Sequence, residues 1–441
     1  MKQPVTLVNL FRSDRPGEVL LPLGCLALRA ALEAAGHPVE LRDLQRLPLD
    51  LWQDLDRLAA SLDDSAAVVG LSLMADMLPL AVALTRRLHE RRPERTLVLG
   101  GPGPSSVAQP LVAAFPWIDC VVRGEGEVTF PELLAALDAG ALHTVSGIAA
   151  PARPDRPLLY TAPRPLIADL DALPEPRLDD LNIKDYSYFT TVASRGCRYR
   201  CTFCEIRGRQ RGTARFRSPE RVADELIRRH REQGIEYVAF QDDHLLHDRA
   251  WLDRLLDRVE GAGVRLRWAC FARVDLVDQA YLAHLVGRGL QTITFGLEAG
   301  TDPLLQRLRK GFSVRQALSG LTAALAELPA TCFFMWGFPE ESLTDFFGTA
   351  QAIHHAEFLG AEVQVGQVVP LAGSLLYRRH RDALQYHEQY PFCRVIRMPA
   401  ADELRELIRR HPSVFPAHHS FPTPAQTEKW RLAGGLCCRA G

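Results

Sequence analysis

The sequence predicts an α/β protein built from two successive parallel-sheet units. Three observations carry this: short apolar runs alternate with amphipathic stretches from residue 5 to about 138, a second alternation of the same kind begins near 186, and a proline-rich stretch separates them. In the first unit Val5–Asn9, Val39–Arg42, Ala67–Ser72, Thr96–Gly100 and Asp119–Val122 read as strands. Helical periodicity falls between them at about 22–35, 52–62, 76–91 and 105–115, with one more helix at 128–138. Five strands joined by helices make a doubly wound, Rossmann-like sheet, which binds ligands at the carboxyl ends of its strands.

Residues 139–185 read as a connector, with a small hairpin around 145–161 and the turn-rich phrase Leu170-Asp-Ala-Leu-Pro-Glu-Pro176. Strands then follow at Phe189–Ala193, Tyr237–Gln241, Leu266–Phe271, Thr292–Gly296, Thr331–Trp336 and Glu362–Val369. Helices near 218–232, 248–260, 277–288, 314–327 and 341–357 complete the βα units. Beyond about 380 the alternation stops, leaving a short C-terminal extension. The expected divisions are therefore 1–140, 141–185, 186–380 and 381–441.

Composition bounds the function classes. Hydrophobic content of 47% and charged content of 24% are globular values. A formal net charge of −1 offers no electrostatic reason for nucleic-acid or anionic-membrane binding. No apolar run is long enough to span a membrane, and the N-terminus does not read as a signal peptide. The expected location is cytoplasmic, where thiols stay reduced. The ten cysteines then read as ligands and buried thiols rather than a disulfide framework.

Three of them stand together as Cys197-Arg-Tyr-Arg-Cys201-Thr-Phe-Cys204, directly after the first strand of the second unit. Three thiolates can hold three irons of a cubane and leave the fourth open to a ligand, whereas ordinary electron-transfer clusters and structural zinc sites close with four. A zinc site completed by a distant His or Cys is the competing reading.

This Cys-x-x-x-Cys-x-x-Cys spacing resembles the signature of the radical S-adenosylmethionine (SAM) enzymes, and the six βα units resemble their partial (β/α)6 barrel. The first unit resembles the cobalamin-binding domain that precedes many such barrels, through Pro22-Leu-Gly24, Gly36-His37, Asp43, Gly70-Leu-Ser72, Gly100-Gly101 and Gly124-Glu-Gly-Glu127. It lacks the Asp-x-His-x-x-Gly phrase whose histidine ligates cobalt in the mutase type, and His37 and His89 read as surface or turn residues. Any cobalamin is thus expected to carry no histidine ligand.

The resemblance implies a [4Fe–4S] cluster on Cys197, Cys201 and Cys204, with SAM chelating the open iron. It places Phe203 near the adenine, Asp242 or Asp243 on the SAM amine, Arg273 on the SAM carboxylate and Glu298 on the ribose or substrate. The bland alternatives are loop packing for Phe203, helix capping for the two aspartates and an internal Arg–Glu pair for Arg273 and Glu298. Lys310-Gly311, Gly337-Phe-Pro339-Glu340 and Pro370-Leu-Ala-Gly373-Ser374 follow in the family's usual places. For cobalamin the candidates are Ser72, Gly100, Gly101, Gly124, Glu125 and Gly126, with tight turns as their ordinary alternative. Asp242-x-His244-x-x-His247 lacks the glycine of a cobalt-binding phrase and receives no cobalt role.

Twelve arginines and four acids between Arg195 and Arg231 suit either a solvated face or a docking patch for an acidic substrate or a reducing partner such as flavodoxin or ferredoxin. Cys437-Cys438 reads as a free tail pair or, less simply, as ligands of a second cluster or participants in the radical reaction. The implied activity is cobalamin-dependent radical methylation of an unactivated carbon in a small metabolite or short peptide, in keeping with natural-product biosynthesis. Radical cyclisation, rearrangement or oxidation without methyl transfer, and a non-enzymatic iron–sulfur redox sensor, are the alternatives.

Overall fold

The structure, a computed structural model, describes residues 2–13, 17–154, 156–387 and 401–437. The chain divides into two compact units, one comprising Met1–Ser187 with Tyr386–His419 and the other Tyr188–Gln385 with Ser420–Gly441.

In the first unit β1 (Val5–Asn9), β2 (Val39–Asp43), β3 (Val68–Ser72), β4 (Thr96–Gly100) and β5 (Cys120–Val122) are parallel. Their order, β2-β1-β3-β4-β5, reverses direction between β1 and β3, which opens the ligand crevice of a doubly wound sheet there. The core under helix Gly126–Ala139 is apolar, with Leu7, Val98, Val122, Phe130 and Leu134 all buried. Gly70 belongs to that packing: a Cβ on it would lie 2.8 Å from the Phe130 ring, so the absent side chain is what lets the helix seat.

Residues 141–185 contain the small hairpin expected around 145–161. β6 (Ile148–Ala150) pairs antiparallel with β5, and β7 (Leu159–Tyr160) antiparallel with β6, which adds a hairpin to the sheet edge. The remainder is strapped down by polar contacts: Arg29, only 2% exposed, pairs with Asp180 at 2.6 Å, Glu125 accepts from Ile167 N at 2.7 Å, and Tyr186 Oη meets Asp43 at 3.2 Å. Proline composition signals turns and says nothing about these long-range partners, which is why the segment reads as a linker.

The second unit carries β8 (Phe189–Thr191), a short antiparallel pair β9 (Ser194–Arg195) and β10 (Arg215–Phe216), then β11 (Tyr237–Phe240), β12 (Arg267–Ala272), β13 (Leu290–Glu298), β14 (Ala330–Trp336) and β15 (Glu362–Gln367). The order β8-β11-β12-β13-β14-β15 is parallel throughout and open at both edges, a partial barrel. Its helices start where the sequence supplies caps. Ser218 accepts from Arg221 N with Pro219 beside it, and Ser342 forms a reciprocal capping box with Asp345.

The C-terminal extension is shared between the units. Helix Ala401–Arg410 joins the first through Glu403, which binds Arg86 at 2.6 Å and Arg87 at 2.9 Å. Helix Gln426–Cys437 joins the second, with Trp430 against Trp336 at 4.8 Å between ring centroids. Cys438 lies outside the described residues, and of Cys437 only its place at the end of that helix is described. No helix among the described residues is long and apolar enough to cross a membrane.

Candidate functional site

The cysteine loop leaves the carboxyl end of β8 and is closed by the β9–β10 pair. Gly196 opens it at φ +93°, where a Cβ would sit 2.2 Å from Thr213 O, so only glycine permits the crossing. Further on, Thr202 N donates to Leu308 O at 3.0 Å and Leu376 N donates to Thr202 O at 2.8 Å. The loop is therefore fixed at both ends and in its middle.

Cys197, Cys201 and Cys204 are free and partly buried within it. Burial raises the Cys197 thiol and pushes Cys204 up to about 12, and the neighbouring cysteines add to both. Such thiols are costly to ionise unless iron replaces their protons, so the trio fits a cluster ligand set. Among the described residues no three His, Cys, Asp or Glu side chains are grouped around a single ion. A cubane asks for a different arrangement, with each thiolate on its own iron.

Asp242 and Asp243, at the end of β11, have separate roles. Asp242 is 2% exposed and accepts from Ala193 N at 3.1 Å, from Ser194 N at 2.5 Å and from Ser194 Oγ at 2.5 Å. Both of its oxygens accept at the strand-to-loop junction, which makes it the latch of the cysteine loop. Burial pushes its carboxyl up to about 6 despite those donors. Asp243 has an exposed edge, and one oxygen accepts from Gly196 N at 3.1 Å. Its charge is felt at Cys197 and Cys204, so of the two aspartates it is the one beside the cluster position.

Arg273 and Glu298 do not pair with each other. Arg273 Nε lies 3.0 Å from Asp275 Oδ1, its Nη2 donates to Lys310 O, and its guanidinium stacks 3.7 Å over Tyr199, between two of the cysteines. Arg273 is thus a hub that joins the loop after β12 to the cysteine loop and to the Lys310 loop. Glu298 meets Lys310 Nζ at 3.3 Å, both nearly buried, and adopts φ +73° at an irregular register between β13 and β14. A non-glycine residue held in the left-handed region at a strand end is strain of the kind found where a side chain must be aimed. Lys310 also lies 5.9 Å over the Phe203 ring, and Phe203 packs on Phe338 at 6.1 Å.

His244 and His247 fill the space behind Tyr199, with ring centroids 4.2 Å apart. Burial and the nearby cations push them down to about 2 and about 4, so both are neutral at physiological pH. Neutrality lets them stack under a tyrosine already carrying Arg273. They pack under the cysteine loop.

In the first unit Asn9, which donates to Asp43 at 2.8 Å, ends β1, and Ser72, bonded to the buried thiol of Cys25 that burial pushes up to about 12, ends β3. The predicted glycines separate there. A Cβ on Gly101 would lie 2.6 Å from Leu73 O and one on Gly126 2.7 Å from Leu28 Cδ2, so protein already occupies those sides. Gly100 has only Val122 near, at 3.9 Å, and Gly124, at φ +83°, has nothing within 4 Å. Open backbone at the ends of β4 and β5 fits a bulky planar ligand such as cobalamin. Glu125 accepts from Ile167 N at 2.7 Å. His37 is buried rather than on the surface, with Nδ1 bonded to Gln3 O at 3.0 Å.

A cavity of about 830 Å³ in the second unit is bordered by Val264–Trp268 and Gly287–Gly289. These precede or begin β12 and β13, at the sheet's amino-terminal end, away from the cysteine loop.

Residues 191–353 match the Radical SAM superfamily, and residues 14–134 match the B12 binding domain. An uncharacterized methyltransferase of Pyrococcus horikoshii is 30% identical over 330 residues, covering 73% of this chain and 70% of that protein. The anaerobic magnesium-protoporphyrin IX monomethyl ester cyclase of Synechocystis is 31% identical over 305 residues, covering 67% of this chain and 60% of that protein. The chain thus spans less than two thirds of the cyclase. Among solved structures, the radical SAM methyltransferase TsrM of Kitasatospora setae, with cobalamin and a [4Fe–4S] cluster bound, superposes with a TM-score of 0.72 at 18% identity, covering all of this chain and 89% of that one. That likeness is one of fold.

Proposed function

The chain belongs to the cobalamin-binding radical SAM enzymes, and from that premise we propose that it methylates an unactivated carbon of a small metabolite or short peptide. The observation that carries the reading is the anchored loop presenting three partly buried free thiols beside Asp243, at the carboxyl end of a parallel sheet. With its cofactors bound, such a site supplies an electron for reductive cleavage of SAM to methionine and a 5′-deoxyadenosyl radical, and a cobalamin-borne methyl group.

The residues then divide the work. Cys197, Cys201 and Cys204 hold the cluster, and Asp243 offers its open carboxylate edge to the SAM ammonium. Glu298, held by Lys310, is directed at the ribose or substrate, while Phe203 and Phe338 form an apolar wall that limits water. Ser72, Gly100 and Gly124 are assigned to cobalamin. Exposed Arg198 and Arg200, within the cysteine loop, suit an acidic reducing partner such as flavodoxin or ferredoxin.

The test is anaerobic reconstitution with iron, sulfide and hydroxocobalamin, followed by SAM, reductant and mass analysis of candidate substrates drawn from the gene neighbourhood. Formation of 5′-deoxyadenosine and a product heavier by one methyl group is expected. The likeness to the cyclase favours one second reading, radical ring formation; 5′-deoxyadenosine with a cyclised, unmethylated product would replace methyl transfer by it.

A further inference from the structure

The second unit contains a buried ion pair whose lysine comes from the far C-terminal segment. Lys429 and Glu341 are both 0% exposed, with Nζ 3.0 Å from Oε2. Lys429 Nζ also donates to Glu341 O at 2.5 Å and to Thr423 Oγ1 at 2.7 Å, and Thr423 Oγ1 lies 3.3 Å from the same carbonyl. Three partners on one ammonium satisfy its donors and fix its position.

Glu341 passes that restraint inward. Its Oε2 accepts from Gly337 N at 2.8 Å, at the turn that ends β14. Gly337 holds φ +85°, and a Cβ there would come 3.0 Å from Gln367 Cγ. The next residue, Phe338, is buried against Phe203, which lies between Cys201 and Cys204. A continuous set of contacts therefore runs from Lys429 through Glu341 and the Gly337–Phe338 turn to the cysteine loop. Trp430, beside Lys429, packs on Trp336 at the end of the same strand.

We propose that Lys429 is a positioning residue which makes the segment 420–437 part of the SAM site, by setting the turn after β14 against the cysteine loop. A buried carboxylate that loses its counter-ion cannot stay in place unchanged; it takes up a proton or draws in water, and either outcome loosens its hold on Gly337. The inference rests on the SAM-binding reading above and adds to it that the C-terminal segment governs SAM affinity.

The experiment uses the reconstituted full-length enzyme. SAM affinity is read from the change that SAM causes in the electron paramagnetic resonance spectrum of the reduced cluster, cobalamin loading from visible absorbance, and stability from Tm. Lys429→Met is expected to raise the SAM Kd by about tenfold or more, the loss of one charge-assisted hydrogen-bond set, with cobalamin loading unchanged. Lys429→Arg, which keeps the charge, recovers part of that loss. Leu282→Ala, a fully buried residue on helix Gln279–Gly287, lowers Tm while leaving the SAM Kd within about twofold of wild type. If Lys429→Met does not fold, Thr423→Val removes one of the three partners and raises the Kd by about threefold.

A wild-type Kd in Lys429→Met, or a loss no larger than Leu282→Ala gives at matched Tm, overturns the proposal. A wild-type protein whose reduced cluster does not respond to SAM overturns instead the reading on which it rests.

Discussion

Replacing Asp242 with Asn tests whether this carboxylate is the latch of the cysteine loop, and its signature is a pH dependence. Burial lifts the Asp242 carboxyl from 3.8 to about 6 in the folded chain. Well below 3.8 it is protonated in both folded and unfolded states, and well above about 6 it is ionised in both. Between these values the folded state binds the extra proton, so stability falls as pH rises through the window. A shift of that size corresponds to about 3 kcal/mol. Asparagine has no such titration. It keeps an oxygen for the Ser194 donors but turns an amide nitrogen toward Ala193 N, a fixed cost of roughly 1–2 kcal/mol.

Wild type should therefore exceed Asp242→Asn in stability at every pH up to the window, and its margin should shrink by about 3 kcal/mol between pH 4 and pH 7. Comparing the two proteins cancels the titration of the other carboxylates. The assay is urea unfolding followed by tryptophan fluorescence, which reports chiefly the second unit because Trp251, Trp268, Trp336 and Trp430 all lie there. A margin that stays flat, or widens as pH rises, would refute the argument and return Asp242 to solvent or to a ligand.

Four other outcomes are expected. Alanine at Cys197, Cys201 or Cys204 should each abolish cluster assembly, read as iron content and visible absorption, while cobalamin uptake persists. Asp243→Asn should raise the SAM Kd by about tenfold with iron content unchanged, since it removes a charge-assisted contact and leaves the three thiols in place. Gly101→Ala should destabilise the first unit by roughly 2–5 kcal/mol, combining a positive φ with a clash at Leu73 O. Gly124→Ala, with the same sign of φ but open space, should cost only about 1–2 kcal/mol and show its effect in weaker cobalamin binding.

The parts of this protein that sequence reading reached, and the parts it missed, differ in the range of the interactions that hold them. Strands such as Val5–Asn9 and Thr96–Gly100, and helices such as Pro219–Gln233 with its Ser218 cap, are set by periodicity and neighbours within a few residues, so they were legible to within a residue or two. The three cysteines stand out in the sequence by their spacing, and the structure sets them, free and partly buried, in one anchored loop. Roles settled by partners far along the chain were not legible. Asp242 and Asp243 are adjacent in sequence, yet one faces Ala193 and Ser194 and the other Gly196, a distinction made by how β8 and β11 align.

The same holds for Arg273, whose contacts with Lys310 and Tyr199 come from other loops, and for Arg29, which ties down a segment whose prolines suggested a connector. Lys429 is the extreme case. It is one of few lysines in an arginine-rich chain, in an extension with no recognisable motif, and its partner lies 88 residues away. Nothing local distinguishes it from a surface lysine. Only complete burial with all donors engaged does, because an ammonium is not held in such a place without a carboxylate that needs it equally. That mutual requirement is what extends the catalytic unit beyond the last strand of the sheet, to a helix that composition alone would have treated as a tail.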